Sequence, residues 1–279
     1  MSLAPVFKNA ESRRILMAAY EEHLARWPVP AETREVPTRH GSTSVISSGN
    51  RSGPSLVLLH GAASNALMWI ADVAELGLSH RVHAVDIIGE PGRSAPTRLP
   101  YAGSGYADWL ADVLDGLGLR TTRLAGISQG AWLALSFATR HPERVERLVL
   151  LSPASVVRDR LTFLLRVLPL LLLGRRGHRV INRIVAAPEK LHPDAMAYMD
   201  LILAHTSPRL DSSPLFADDE LRRLTMPVLL LGGEQDAIRD CRAIAARLQG
   251  LASRVETCLL PNAGHVLVGA APRMLAFLN

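Results

Sequence analysis

The sequence predicts an α/β protein in which a mostly parallel central sheet is covered by helices on both faces. Short, almost wholly apolar runs occur at 55–59, 148–151 and 228–231, and strands without polar alternation are typical of a sheet that is buried on both faces. Helical segments separate these runs along the chain, which favours parallel strands joined by crossover helices. The 279 residues, 48% of them hydrophobic, are enough for one large domain.

The first half of the chain supplies a helix, a hairpin and a series of strands and helices. A helix over 11–27 is indicated by apolar residues that share one face, and Pro28 and Pro30 end it. The elements that follow are a hairpin over 34–48 with Gly41 near its turn, a strand over 55–59, a helix beginning near Asn65, a strand over 82–85, a helix over 106–117, and a strand and a helix on either side of Ser128.

The second half continues this pattern after one interruption. Strands are predicted over 145–151, 228–231 and 255–260, with helices over about 240–250 and 270–278. Residues 153–225 have a helical pattern without a good strand, and they are too many for a loop in a compact domain. The predicted division is a core formed by 1–152 and 226–279, in which 1–30 is an N-terminal helical extension, and a helical cap inserted as 153–225.

The central motif is Gly126-Ile127-Ser128-Gln129-Gly130, between an apolar strand and a helix. A sharp turn from strand to helix leaves no room for side chains at the two glycine positions, and it exposes the hydroxyl of the serine at its apex. The pattern is weak evidence by itself, because an ordinary turn serine can have the same local sequence. Its weight comes from suitable partners elsewhere in the chain.

A serine nucleophile needs a base and an acid that orients the base. Asp236 follows one predicted strand and His265 follows the next, so both should lie with Ser128 at the carboxyl edge of the sheet. The order Ser, Asp, His along the chain is the one expected for this arrangement. We therefore predict that Ser128, Asp236 and His265 are catalytic. Glu234, on the same loop as Asp236, is the alternative acid, and a packed core histidine is the alternative interpretation of His265.

An oxyanion hole requires two backbone N–H groups, one from the residue after the nucleophile and one from an early loop. Gln129 and Ala62 occupy these positions. His60, at the end of the strand that precedes Ala62, is expected to hold this loop through its ring nitrogens. Asp86, at the end of another strand, is expected to shape the loop that follows it.

These motifs resemble those of the α/β-hydrolase superfamily over nearly the whole length of the chain. The resemblance is carried by His60-Gly61, Asp86-x-x-Gly89, Gly126-x-Ser128-x-Gly130, Gly233-x-x-Asp236 and Gly264-His265. Within the superfamily, the chain is similar to the bacterial carboxylesterase NP group through Asp86-Ile87-Ile88-Gly89, Tyr106-Ala107-Asp108-Trp109-Leu110, Leu151-Ser152-Pro153-Ala154 and Asn262-Ala263-Gly264-His265-Val266-Leu267. The resemblance implies an α/β-hydrolase fold with a helical cap and hydrolysis of carboxylic esters.

One departure from the family pattern lies in the loop after Asp86. Glu90-Pro91 precedes Gly92 and adds one residue to the commoner spacing. The extra residue concerns the wall of the pocket and not the predicted triad.

Substrate selectivity is expected to come from the cap. Its segment 161–173 is almost uniformly apolar, and Met196 and Met199 enrich a later helix. Most of these apolar residues are expected to pack the cap onto the body, and a minority to line an apolar pocket. The predicted substrate-binding set is Ala62, Gln129, Trp69, Met196 and Met199. The arginines of the cap are expected to be solvated, with recognition of an anionic substrate group as the alternative.

Charge, cysteine content and hydropathy argue against a nucleic-acid-binding protein, a disulfide-rich protein and a membrane-spanning protein. The formal net charge is +5, but aromatic residues are only 5% and no nucleic-acid motif accompanies the arginines, so we expect no nucleic-acid partner. Cys241 and Cys258 form neither a disulfide framework nor a metal pattern, which indicates free thiols in the cytoplasm. No signal peptide is indicated, and the run 161–173 is too short to span a membrane.

The expected function is hydrolysis of carboxylic esters of small to medium apolar substrates, by a monomer or homodimer without a metal or an organic cofactor. A thioesterase, a lactonase, an acyltransferase or a C–C hydrolase would use the same triad. A ligand-binding member of the fold that has lost turnover is the alternative outside the enzymes.

Overall fold

The computed structural model describes residues 3–207, 209 and 211–279, and one eight-stranded sheet lies at its centre. The strands are β1 (Ala31–Thr38), β2 (Gly41–Gly49), β3 (Ser55–Leu59), β4 (Arg81–Val85), β5 (Thr122–Ile127), β6 (Val145–Leu151), β7 (Val228–Gly233) and β8 (Val255–Leu260). Their order across the sheet is β1-β2-β4-β3-β5-β6-β7-β8. The predicted α/β class is confirmed, because β1 and β2 form an antiparallel hairpin, β2 pairs antiparallel with β4, and the neighbours from β4 to β8 are parallel.

Helices cover both faces of this sheet. They are α1 (Ala10–Leu24), α2 (Val73–Leu76), α3 (Gly105–Gly116), α4 (Gln129–Ala138), α5 (Leu161–Leu171), α6 (Gly174–Ala186), α7 (Pro193–His205), α8 (Asp218–Leu221), α9 (Cys241–Leu251) and α10 (Ala271–Leu278), with short 3₁₀ helices at Ala66–Ala71 and Pro142–Arg144. Buried residues of α3, α4 and α9 pack together on one face, and those of α1, α2 and α10 pack on the other. The helix predicted to begin near Asn65 is a 3₁₀ turn followed by the short α2.

The helix after the Ser128 motif is completely buried. Every residue of α4 is buried, because the helix lies on β5 and β6 and α3 covers its outer side. A helix that is apolar on all sides requires such a position. The turn at Ser128 is therefore held between two buried elements, β5 and α4.

The segment between β6 and β7 carries α5, α6, α7 and α8 and, within its described residues, no strand. The expectation that most apolar residues of 161–173 pack the cap onto the body is wrong. Helix α5 has no buried residue, because it packs against α6 and turns most of its leucines outward. The exposed side chains are Leu161, Leu164, Leu165, Leu168, Leu172 and Leu173. Among the described residues, no helix has both the length and the apolar character that a membrane span requires.

Candidate active site

The nucleophile candidate Ser128 lies at the turn between β5 and α4. Its φ of 55° is in the left-handed region, which a residue with a side chain keeps only when its surroundings impose it. A Cβ atom on Gly126 would collide with the carbonyl of Gly130, and a Cβ atom on Gly130 would collide with the carbonyls of Leu59 and His60. The two glycines of the motif are therefore required by close backbone approach, and the serine between them is pushed out of the sheet.

The predicted acid and base lie together at the carboxyl edge of the sheet. His265 Nδ1 is 2.9 Å from Asp236 Oδ2, and both side chains are buried. Asp236 is oriented by its own loop, because its Oδ1 accepts from the backbone N–H groups of Ile238 at 2.7 Å and Arg239 at 3.0 Å. The alternative acid, Glu234, instead accepts from Arg242 at 2.7 Å and is not beside His265.

The electrostatics of this pair favour a carboxylate beside a neutral imidazole. Burial alone would raise the pKa of Asp236, but the hydrogen bond and charge of His265, with the N–H groups of Ile238 and Arg239, hold that pKa below its usual value. Burial lowers the pKa of His265, and the Arg239 charge lowers it further, against the opposing effect of Asp236. A neutral His265 is the form that can accept a proton from a serine.

A guanidinium group lies between the nucleophile and the base. Arg239 Nη1 is 3.1 Å from Ser128 Oγ and 3.4 Å from His265 Nε2, and it also donates to the carbonyl of Ser152 at 3.0 Å. Among the described residues, no hydrogen bond joins Ser128 Oγ directly to His265. Sequence reasoning missed Arg239, although a charged residue three positions after the predicted acid is a usable signal.

The oxyanion candidates Ala62 and Gln129 lie just after β3 and at the first position of α4. Within the described part of the chain, the backbone N–H groups of Ala62 and Gln129 have no hydrogen-bond acceptor. His60 holds the Ala62 loop, because its Nε2 accepts from the Ile87 N–H at 2.9 Å and leaves its Nδ1–H to donate to the Gly61 carbonyl at 2.8 Å. Burial lowers the pKa of His60 to about 4, which keeps this ring neutral.

A second residue that sequence reasoning missed connects the two halves of the oxyanion hole. Glu90 is buried; its Oε2 accepts from the Ala63 N–H at 2.9 Å, and its Oε1 accepts from Gln129 Nε2 at 3.1 Å. Burial raises the pKa of Glu90, while these two hydrogen bonds act in the opposite direction. The signal for Glu90 in the sequence is the extra residue in the loop after Asp86.

Asp86 shapes the loop after β4, as expected. Its Oδ1 accepts from the Ala66 N–H at 2.7 Å, and its Oδ2 accepts from the Arg93 N–H at 2.8 Å and from the Tyr20 hydroxyl at 3.0 Å. A Cβ atom on Gly92 would collide with this carboxylate. Asp86 therefore joins two loops and α1 without reaching the nucleophile.

A cavity of about 190 Å³ lies between the body and the cap and reaches Ala62 at the oxyanion loop. The cap residues that line it are Val167, Leu171, His178, Ile181, Leu203, Thr206, Ser207 and Arg209, and Glu90 and Arg98 contribute from the body. The prediction for Trp69 conflicts with its position, because this side chain is buried in the hydrophobic core and is not among the residues that line the cavity. Met196 and Met199 are half-buried and are not among the residues that line this cavity.

Within residues 3–207, 209 and 211–279, no group of three or more His, Cys, Asp or Glu residues could hold an ion. The arrangement of Ser128, His265 and Asp236 is suited to acyl transfer, in which a base activates the serine and backbone amides receive the negative charge.

Comparison with known proteins agrees with this geometry. A model of the alpha/beta hydrolase family matches residues 56–276. The chain is 33% identical over 284 residues to carboxylesterase YbfK of Bacillus subtilis, an alignment that covers 98% of this chain and 96% of that protein. The crystal structure of naproxen esterase (carboxylesterase NP) from Bacillus subtilis aligns with a TM-score of 0.89 at 32% identity, over 98% of this chain and 100% of that one. The crystal structure of carboxylesterase CesB (YbfK) from the same organism gives a TM-score of 0.87 at 32% identity, over 96% and 99% of the two chains.

Proposed function

Because the chain belongs to the alpha/beta hydrolase family, we propose that it is a serine hydrolase that cleaves carboxylic esters through an acyl-enzyme on Ser128. The observation that carries the proposal is the 2.9 Å hydrogen bond between His265 and Asp236 beside a serine on a strained turn. Similarity to Bacillus subtilis carboxylesterases over almost the whole of both chains supports the ester as the substrate class.

In the proposed mechanism, Ser128 Oγ attacks the ester carbonyl carbon while His265 Nε2 takes the hydroxyl proton. Asp236 holds the imidazole so that Nε2 faces the serine, and it stabilises the imidazolium that forms. The carbonyl oxygen becomes negative and accepts from the N–H groups of Ala62 and Gln129. His265 then gives its proton to the leaving alcohol and later deprotonates the water that hydrolyses the acyl-enzyme.

The acyl or alcohol group is proposed to occupy the cavity under the cap. This cavity begins at Ala62 and is lined by apolar side chains such as Val167, Leu171 and Leu203, which supports small to medium apolar groups. The same catalytic groups would also act on thioesters and lactones, so these compounds are the alternative substrates.

The test is hydrolysis of a p-nitrophenyl ester series, from acetate to dodecanoate, by the wild type and Ser128→Ala. We expect turnover by the wild type and a loss of about 10⁴-fold or more in the variant, with unchanged circular dichroism. Labelling of the wild type by a serine-directed phosphonate without ester turnover would redirect the search to thioesters and lactones. Turnover by Ser128→Ala at the wild-type rate would disprove the acyl-enzyme.

We propose that the protein is cytoplasmic and is a monomer or a homodimer. Cys241 and Cys258 carry free thiols, which is usual in the reducing cytoplasm. A monomer or a homodimer remains the prediction, and light scattering at the enzyme's working concentration distinguishes the two.

A further inference from the structure

Arg239 is unusual because its cation contacts the proposed nucleophile. The side chain is 7% exposed, and its Nε donates to Asp159 Oδ1 at 3.0 Å. Nη1 contacts Ser128 Oγ and lies near His265 Nε2, whereas Nη2 has no hydrogen-bond partner within the described residues. The two N–H groups of Nη2 are thus left without a protein acceptor on a guanidinium whose Nη1 contacts the proposed nucleophile.

Another arginine with a buried side chain has a different set of partners. Arg209 donates to the Asp211 carboxylate through two nitrogens, to the Tyr106 hydroxyl and to the Leu99 carbonyl. All of its nitrogens have protein acceptors, and none of those acceptors is a proposed catalytic atom. Arg239 differs on both counts.

The contact between Arg239 and Ser128 also has a cost for catalysis. A serine that is to be deprotonated must donate its hydroxyl proton to His265 Nε2, and Nη1 lies close to both of these atoms. An acceptor that binds Nη1 and Nη2 together would draw the guanidinium away from Ser128 Oγ. A carboxylate is the acceptor that fits this planar fork, with N···O distances of about 2.8 Å.

We propose that Arg239 is a specificity-determining residue that binds a carboxylate of the substrate. The preferred substrates are then half-esters of short dicarboxylic acids, and this inference rests on the proposed ester hydrolysis. A carboxylate oxygen on Nη1 lies at most about 6 Å from Ser128 Oγ, so roughly two to four bonds separate it from the scissile carbonyl carbon. Binding of the carboxylate replaces the Arg239–Ser128 hydrogen bond and frees the serine to donate to His265.

The test compares two methyl esters of nearly the same shape, one anionic and one neutral. Monomethyl succinate carries the carboxylate, methyl 4-methylpentanoate carries an isopropyl group in its place, and methanol release reports both reactions. The wild type should have a higher kcat/KM for the half-ester. Arg239→Met should lower the ratio of the two kcat/KM values by roughly ten- to a hundredfold, and Arg239→Lys should retain part of the preference. The control is Arg158→Met, which removes an exposed arginine at the start of the cap and should leave the ratio unchanged.

Two further readouts separate substrate recognition from a structural role. Succinate should inhibit the wild type competitively and Arg239→Met roughly tenfold less; the wild-type measurement stands even if the variant does not fold. The groups that set the charge around His265 are Asp236, Arg239 and Asp159. Removal of the Arg239 cation should therefore move the acid limb of the kcat/KM profile to higher pH.

Failure of the Arg239 assignment can be distinguished from failure of the proposed ester hydrolysis. Equal losses on both esters, or a wild type that prefers the neutral ester, would overturn the assignment of Arg239 and leave ester hydrolysis intact. Failure of the wild type to hydrolyse any ester and to react with a serine-directed phosphonate would instead disprove the proposed function.

A different observation concerns the outer surface of the cap. Leu161, Leu164, Leu165 and Leu168 form one stripe along α5, and each is at least half exposed. No acidic residue occurs in 160–188. Within the described residues, the exposed arginines Arg166, Arg175, Arg176 and Arg183 have no acidic partner. Arg166 is on α5, and Arg175, Arg176 and Arg183 are on the adjacent helix α6. We refer to the exposed surface that these leucines and arginines form on the two helices as the leucine–arginine face.

Leucines beside unpaired arginines are typical of helices that lie on anionic membranes. Two copies of this chain joined through the same face would bring their arginines together, which disfavours a dimer of this kind. We propose that the leucine–arginine face binds the surface of a membrane that contains anionic phospholipid. Val167 and Leu171, on the inner side of the same helix, line the cavity, so docking would place the cavity close to the lipid.

Sedimentation with vesicles tests this second proposal. The wild type should bind vesicles of phosphatidylcholine with phosphatidylglycerol, and salt should weaken the binding. The double variant Leu165→Glu/Leu168→Glu should bind these vesicles with an affinity at least roughly tenfold lower. The control Leu78→Glu, which changes an exposed leucine of the body, should bind like the wild type. No binding, equal binding to pure phosphatidylcholine, or a wild-type dimer that the double variant converts to a monomer would overturn it.

Discussion

Two carboxylates project from the loop after β7, and their surroundings separate their roles. Asp236 is buried, accepts two backbone N–H groups and contacts His265. Glu234 forms an ion pair with Arg242 and does not contact the histidine. A surface ion pair contributes little to stability, whereas a buried acid that holds a catalytic imidazole controls its tautomer.

We predict that Asp236→Asn lowers kcat by about 10³- to 10⁴-fold with little change in KM, because an amide can hold the wrong imidazole tautomer and cannot stabilise an imidazolium. Glu234→Gln should keep kcat within about twofold, since it changes only a partly exposed ion pair. Steady-state kinetics on one p-nitrophenyl ester measure both variants. A larger loss in Glu234→Gln than in Asp236→Asn would reverse the assignment of the acid.

At the scale of elements, the turn between β5 and α4 depends on close backbone approach. Gly130 lies against the carbonyls of Leu59 and His60, so a methyl group there has no space. Gly250, near the end of α9, has nothing within 4 Å of the position of an added Cβ. The same substitution should therefore have opposite effects at the two sites.

We predict that Gly130→Ala destabilises the protein by about 3 kcal/mol or more, because overpacking against backbone cannot be relieved by a rotamer change. Gly250→Ala should stabilise it by up to about 1 kcal/mol, since alanine has the higher helix propensity. Urea unfolding followed by circular dichroism gives both values. Equal stabilities for the two variants would contradict the close approach at the turn.

Helix α5 has two unlike sides. Val167 and Leu171 line the cavity, and Leu165 is exposed on the outside. Truncation of an inner residue enlarges the space for substrate, whereas truncation of an outer one does not.

We predict that Val167→Ala raises the ratio of kcat/KM for octanoate over butyrate by roughly fivefold, because one methylene in an apolar pocket changes transition-state binding by about 1 kcal/mol. Leu165→Ala is the matched control and should leave the ratio unchanged. The p-nitrophenyl ester series measures it. A shift in the control but not in Val167→Ala would place the acyl group outside this cavity.

At the scale of the whole molecule, the sheet buries ionisable groups far from the proposed site. His83 on β4 contacts Ser47 Oγ on β2 at 2.9 Å. Burial, helped by the charges of Arg81 and Arg34, lowers the pKa of His83 to about 4. In the unfolded chain histidine has a pKa near 6.5, so between pH 6.5 and 4 the unfolded state binds a proton that the folded state does not.

We predict that the wild type loses up to about 3 kcal/mol more free energy of unfolding than His83→Asn between pH 7 and pH 4, because stability falls wherever the unfolded state binds more protons as pH decreases. Asparagine keeps a polar group near Ser47 and does not titrate. His192→Asn controls for loss of an exposed histidine. Urea midpoints at several pH values provide the test, and parallel curves for wild type and His83→Asn would contradict it.

Much of the fold and part of the proposed site follow from local sequence. Apolar runs of strand length, helical periodicity and the glycines around Ser128 depend on near neighbours in the chain. They predicted the strands, the hairpin and the packing helices close to where they form. The carboxyl ends of parallel strands lie at one edge of a sheet, and this rule predicted that Asp236 and His265 lie near Ser128.

What the sequence left open depends on residues that are far apart in the chain. Arg239 and Ser128 are in contact although 111 positions separate them in the sequence, and Glu90 and Gln129 are in contact across 39 positions. The sequence marks Arg239 only by its position three residues after Asp236, and Glu90 only by the extra residue in its loop. Neither signal shows which atom the side chain contacts, because a charged loop residue has the same sequence whether it meets solvent or a catalytic atom. The burial of Trp69 and the outward leucines of α5 were likewise decided by which surfaces meet when the elements pack.

The amino-acid sequence by itself determined the family, the order of the elements and the candidates for nucleophile, acid and base, because these features are encoded in periodicity and in short motifs. Only the tertiary structure decided which carboxylate faces His265, which side of α5 meets the cavity, and that a buried cation stands beside Ser128. Burial and partner choice depend on the whole arrangement, because hydrogen bonding and the free energy of a charge are set by everything that surrounds it.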